Sequence, residues 1–255
     1  MEEHPIAIEV RNLTKRYGGK TSPESLKNVS FQIPLGQTCC LLGPNGSGKT
    51  TLLKILAGLL EPTSGAISIL GVDPELDPLG VKANIGWMPA QEKSGFYGRL
   101  TGRQNLYFFG TLNDISKDVM DRAIGNLALQ LGINDELDKM MLKISSGSKQ
   151  KIALARALLH NPPILLLDEP VQNLDPHTTL RFRRLLKDHL TRIQKKTVIL
   201  STHLLEEARR VADLVLIIRE GQIIRTLASK ELERELQFTS VEDFYMKTVD
   251  EAKPV

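Results

Sequence analysis

The stretch GPNGSGKT, residues 43–50, constrains this chain more than any other. Gly43 and Gly48 are separated by four residues, and Lys49 and Thr50 follow directly. The apolar run TCCLL (38–42) precedes it and reads as a buried strand; TTLLKILAGLL (50–60) follows and reads as a helix with Leu52, Leu53, Leu56, Leu59 and Leu60 on one side. Glycines at these positions let the backbone close around phosphate oxygens, and successive N–H groups form a nest for the anion. A lysine beside the nest reaches the β- and γ-phosphates, and the adjacent hydroxyl suits Mg²⁺. Gly43, Pro44, Asn45, Gly46, Ser47, Gly48, Lys49, Thr50 and Thr51 are therefore the expected phosphate-binding set. The bland alternative is a glycine-rich strand-to-helix turn.

A second motif supports the first. ILLLDE (164–169) is a buried strand ending in two carboxylates. Asp168 suits a Mg²⁺ partner, and Glu169 suits a general base that polarises an attacking water. Open α/β sheets place ligands at the carboxyl ends of their strands.

The remaining pattern is alternating. IAIEVRNLTKRYGG and NVSFQIPLGQ read as antiparallel strands near the N-terminus, and GAISILG (65–71) as another. Residues 92–160 carry helix patterns and little strand signal. A long helix follows Pro176, then a strand at TVILST (197–202), a helix from Leu204 to Asp213 and a strand segment at LVLIIREGQII (214–224). Short apolar strands alternating with helices predict a mostly parallel α/β sheet covered on both faces. The whole chain, 1–255, reads as one domain: a core of 1–90 and 161–225, a helical subdomain at 91–160 and a short tail at 226–255 with one helix.

Composition narrows the class. Lys and Arg number 33 against 30 Asp and Glu, a net charge of +3, too small to argue for nucleic acid or an anionic membrane surface. Cys39 and Cys40 are adjacent, poorly placed to pair with each other and without metal-ligand spacing. MEEHPIAIEV lacks a signal-peptide layout, and no apolar run approaches the ~20 residues that span a bilayer. An action at a membrane would need a partner to supply the membrane part.

KISSGSKQKIALARALLH (143–160) opens a polar loop into an amphipathic helix, whose free N–H groups can hold an anion or simply be capped. NLDPHTT (173–179) places Asp175 as an N-cap and Pro176 at the first helical position. His203, ending VILSTH, reads by itself as a surface residue, and the basic residues between Arg181 and Lys196 as a solvated helix face.

In this order the motifs resemble the ATP-binding cassette of ABC transporters, over nearly the whole chain. The resemblance implies an ABC-cassette P-loop fold with N-terminal antiparallel strands and an inserted helical subdomain, ATP and Mg²⁺ as ligands, and an ATPase coupled to transport. It makes Tyr17 the aromatic that stacks on adenine, Glu169 the catalytic carboxylate, His203 the sensor of the γ-phosphate and Asn173–Asp175 the loop touching an opposite subunit. It implies a glutamine after the IGWMP strand (85–89) that contacts Mg²⁺ and water. Ala90 stands there and Gln91 follows, so the role falls to Gln91 with a shift of one residue or is weakened. Ile144 to Ser148 match the family's signature loop with departures: Ser145 and Gly147 keep the phosphate-facing parts, while Ser146 replaces a glycine at a cost of ~1–2 kcal/mol if its φ is positive.

The implied partners are transmembrane permease subunits and a second ATP-binding subunit, identical or different, arranged head to tail, with no direct contact to nucleic acid. The implied location is the cytoplasmic face of the membrane, held peripherally. The aromatic-rich segment 87–109, with six of the twelve aromatic residues, is the implied groove for a short helix of the membrane subunit, or else only core. The short tail points toward export. A soluble ABC-type ATPase acting on ribosomes or nucleic acid is the alternative. A guanine-reading Asn-Lys-x-Asp is missing, and Glu169 with SSGS fits the cassette better than a simple P-loop kinase or GTPase.

Overall fold

The computed structural model describes residues 5–18, 21–90, 95–172 and 174–236. A three-stranded antiparallel sheet holds β1 (Ile6–Arg16) between β2 (Glu24–Pro34) and β4 (Ser64–Ile69). The second sheet has six strands, ordered β5 (Ile85–Met88), β6 (Ile164–Leu167), β7 (Thr197–Thr202), β3 (Thr38–Leu42), β8 (Leu214–Arg219) and β9 (Gln222–Ala228). Its first five strands are parallel, and β9 returns antiparallel along β8. β3, β6 and β7 are buried at every position, as expected of central parallel strands covered on both faces.

Two cores form. One lies between the two sheets around α1 (Lys49–Leu56) and contains Leu13, Ile33, Leu41, Leu53 and Leu166. The other lies on the opposite face, under α3 (Gly102–Leu112), α4 (Lys117–Leu131), α5 (Ser146–Leu158) and α7 (Leu205–Val211). Within α5, Ile152, Leu154 and Ala155 are fully buried. The shorter helices are α2 (Pro78–Ala83) and α8 (Ser229–Leu236).

Three details differ from the sequence reading. α1 stops at Leu56, because Ala57 caps it and Gly58 turns left-handed at φ 64°; Leu59 is then exposed rather than on the buried side. LVLIIREGQII is not one run but a hairpin. Glu220 (φ 48°) and Gly221 (φ 82°) supply the two positive φ values of a tight hairpin turn, and β9 continues to Ala228. The helix after Pro176 is α6 (Pro176–Arg184), which passes into a π-helix over Leu185–Ile193. Asp175 caps it as expected, accepting from the Thr178 N–H at 3.0 Å with Pro176 in the first turn. The cysteines are both free and buried, and burial pushes both thiols up.

Candidate functional site

The phosphate loop lies where β3 hands over to α1, at the carboxyl end of the parallel strands. Its glycines answer local demands. Gly46 and Gly48 hold φ of 80° and 109°, values that favour glycine. A Cβ on Gly43 would lie 2.2 Å from the Ile218 carbonyl oxygen on β8. The β8–β9 turn clasps the loop from outside, with Gly221 N–H donating to Ser47 O at 3.0 Å. Ser47 Oγ is buried without a hydrogen-bond partner among the described residues, an orphan donor fitted to an oxyanion.

Lys49 is buried, and its Nζ donates to the carbonyls of Gly43 (2.7 Å) and Pro44 (3.0 Å). It also lies 3.7 Å from Glu169 Oε1. Burial lowers its pKa, and the carboxylates of Glu169 and Asp168 oppose that shift. Thr50 Oγ1 donates to Asp168 Oδ2 at 2.9 Å. These two hard oxygens, side by side and next to the phosphate loop, suit Mg²⁺, which takes few protein ligands and completes its shell with water and substrate phosphate.

β6 delivers the acids. Asp168 N–H bonds Met88 O on β5 at 2.9 Å, and its carboxylate is buried. Glu169 follows at φ 47°, a left-handed conformation that costs a non-glycine residue ~1–2 kcal/mol. His203 Nδ1 lies 3.2 Å from Glu169 Oε2 and 3.3 Å from Oε1. Ser201, one step before the end of β7, donates from Oγ to Asp168 Oδ1 at 2.6 Å and accepts from Glu169 N–H at 2.9 Å. Gln150 on α5 donates from Nε2 to the carbonyls of Glu169 (3.2 Å) and Pro170. Neither Ser201 nor Gln150 stands out in the sequence; a serine two residues before His203 at the end of a strand is the available signal.

The rim carries Tyr17, half exposed, with its hydroxyl 3.3 Å from Thr51 Oγ1; Ser25 Oγ lies 3.0 Å from the same atom. An open cavity of about 230 Å³ is lined by Ser25, Asn45, Gly46, Gly48, Lys49, Thr50, Thr51 and Glu169. Ser145 and Gly147 are outside this lining, at the start of α5. Ser145 caps that helix, accepting from Ser148 N–H at 3.2 Å. Ser146 is the first helical residue and is not among the residues of positive φ, so the strain expected for a serine there does not arise. Among the described residues, a Cβ on Gly147 would meet only Leu174 Cδ2, at 3.6 Å. Gln91 and Asn173 lie outside the described residues.

A phosphate loop opening a helix, an acid pair at the end of a strand one removed in the same sheet and a histidine beside the second acid define a P-loop nucleotide hydrolase. The family model for ABC transporter matches residues 26–172, and the chain belongs to that family. It is 34% identical over 218 residues to the ABC transporter ATP-binding protein NatA of Bacillus subtilis, covering 85% of this chain and 87% of that protein. It is 36% identical over 227 residues to the bacitracin transport ATP-binding protein BcrA of Bacillus licheniformis, covering 89% and 71%. Among solved structures, the ATP-binding subunit of an ABC transporter superposes with a TM-score of 0.82 at 26% identity, over 95% of this chain and 99% of that one. A dimeric ATP-binding cassette in a post-hydrolysis state with ADP and Pi superposes with a TM-score of 0.79 at 28% identity, over 87% and 98%. The chain is an ATP-binding and ATP-hydrolysing subunit of an ABC transporter. Its relatives carry transport names, which decides against the soluble ATPase acting on ribosomes.

Proposed function

We propose that this subunit hydrolyses ATP at a site that two cassettes complete together, and that closure and release of the pair drive permease subunits in the membrane. The carrying observation is the cluster of Lys49, Thr50, Asp168, Glu169 and His203 around one phosphate loop. Lys49 and the loop amides bind the β- and γ-phosphates. Thr50 and Asp168 hold Mg²⁺, which neutralises charge on the phosphate oxygens when bound. Glu169 orients the water and accepts its proton, and His203 orients Glu169 and senses the γ-phosphate. Tyr17 stacks on adenine at the open rim.

Ser145 and Gly147 complete the ATP site of the other subunit, which fits their position outside this chain's own cavity lining. Gln91 remains the candidate for the glutamine that meets Mg²⁺ and water. ATP bound between two surfaces favours the closed pair, and its hydrolysis removes that bias. The second cassette is a copy of this chain or a close relative.

The permease contact uses the aromatic segment. Tyr97 and Phe108 are stacked edge-to-face at 4.9 Å and remain partly exposed, as an anchor site for a short helix requires. Among the described residues no helix is long and apolar enough to cross a membrane. In this reading the permease supplies the membrane part and holds this subunit at the cytoplasmic face. Export is the direction we favour; a relative from Rhizobium meliloti, 33% identical, is named as a Nod factor export ATP-binding protein. Mild-detergent purification of the tagged chain from its native cells tests the assembly. A polytopic membrane protein recovered in near-equal amount is the expected result, and recovery of soluble proteins alone would overturn it.

A further inference from the structure

We propose that Ser201 is a positioning residue for ATP hydrolysis: its one hydroxyl sets the two acidic side chains in register with the phosphate loop. The proposal rests on the reading of Glu169 as general base.

Ser201 is fully buried on β7. Parallel pairing of β6 with β7 puts Leu167 opposite Leu200, so the next residues lie side by side: Asp168, just past the end of β6, and Ser201, still on β7 and paired with Leu41 of β3. A serine hydroxyl has one proton to give and lone pairs to receive with. Here the directions are fixed by the partners. The Asp168 carboxylate takes the proton at 2.6 Å, and the Glu169 N–H gives its own to the same oxygen at 2.9 Å.

The second Asp168 oxygen accepts from Thr50 at 2.9 Å. A continuous chain of hydrogen bonds therefore runs from Thr50 through Asp168 and Ser201 to the backbone of Glu169. It ties the first turn of α1 directly to the end of β6 and, through Asp168, to β7.

Glu169 needs this hold. Its left-handed backbone persists only if its surroundings over-determine it. Ser201 fixes its N–H, while Gln150 Nε2 and Gln172 N–H fix its carbonyl, both at 3.2 Å. Removing the hydroxyl leaves a buried carboxylate oxygen and a backbone N–H each short of a partner. The Asp168 carboxylate is then free to turn, and the Glu169 backbone is free to relax and carry its side chain off the attacking water. The loop amides bind the phosphates independently of Ser201, and Lys49 keeps its bonds to the carbonyls of Gly43 and Pro44.

The test compares the full-length parent chain with Ser201→Ala in steady-state ATP hydrolysis, equilibrium binding of a fluorescent ATP analogue and thermal unfolding. The expected result is a kcat lower by about 10–100-fold, the usual effect of losing a group that orients reacting side chains. KM and analogue affinity change far less than kcat, since the loop amides and Lys49 still bind the phosphates. Ser201→Thr, which keeps the hydroxyl, recovers most of the loss. A folded Ser201→Ala with parental kcat, or a threonine variant no better than alanine, overturns the proposal. Should alanine prevent folding, Ser201→Cys takes its place with the same two outcomes. Glu169→Gln is measured in parallel. If it hydrolyses ATP as the parent does, the general-base reading fails; if it is inactive while Ser201→Ala is fully active, only the role of Ser201 fails.

Discussion

The ammonium of Lys49 lies 3.7 Å from the Glu169 carboxylate, with only 6% and 14% of the two side chains exposed. The two groups that flank the γ-phosphate in the proposed mechanism are close enough to form an ion pair. Burial still dominates and holds the Lys49 pKa below its usual value. Entry of a phosphate adds negative charge beside the ammonium and raises that pKa. Just below the ordinary lysine value of ~10.4, ATP binding therefore takes up protons. Calorimetry in two buffers of different ionisation enthalpy measures this; proton release, or no uptake in that window, would contradict it. The sign for stability agrees. Between the lowered folded pKa and the ordinary value, the unfolded chain holds more protons at Lys49, so this group's contribution to stability rises with pH there.

Restoring the family glycine by Ser146→Gly brings no gain. Ser146 begins α5 without positive φ, so there is no strain to relieve, and glycine in a helix costs about 0.5–1 kcal/mol. The expected outcome is a slightly lower urea midpoint and an ATPase rate within about twofold of the parent. A severalfold faster variant would show that the serine does restrain the loop.

Arg156 on α5 is flanked by the rings of Phe96 and Phe109, at 4.9 and 4.7 Å from their centroids. Burial lowers its pKa to about 10, so it remains charged at neutral pH. Arg156→Ala removes the contacts with both rings and the packing of its stem, and is expected to destabilise by about 1–3 kcal/mol. Arg156→Lys recovers only part, because an ammonium lacks the planar face. Urea unfolding decides it, and an unchanged midpoint for the alanine variant would refute it.

Two glycines of the phosphate loop separate space from conformation. Gly46 has a φ of 80° and, among the described residues, nothing within 4 Å of where a methyl would sit, whereas Gly43 would place that methyl 2.2 Å from the Ile218 carbonyl oxygen. Gly46→Ala is expected to fold, with a loss of ~1–2 kcal/mol for the left-handed backbone. Gly43→Ala is expected to lose cooperative melting or nucleotide binding, since a carbonyl of β8 has to move. Equal behaviour of the two variants would contradict this.

Much of the site was legible because its chemistry is contiguous. GPNGSGKT and ILLLDE each carry their own context, an apolar strand before a turn. His203 was legible only through resemblance, since a strand-end histidine says nothing of the Glu169 carboxylate 34 residues earlier that it meets at 3.2 Å. Ser201 had only its place two residues before His203 to mark it, and Gln150 nothing, because their partners are brought together by strand register and helix packing. The β8–β9 hairpin was hidden for another reason. Its apolar residues run through the turn, and Glu220 occupies a positive-φ position that composition alone does not announce.

The central claim is that ATP held by the phosphate loop is cleaved with Glu169 as the base. Glu169→Gln tests it most directly, with ATP affinity and turnover measured on the same preparation. The account predicts affinity close to the parent and turnover lower by at least ~100-fold, the scale of a positioned general base. A Glu169→Gln variant that turns over ATP at the parental rate would contradict it.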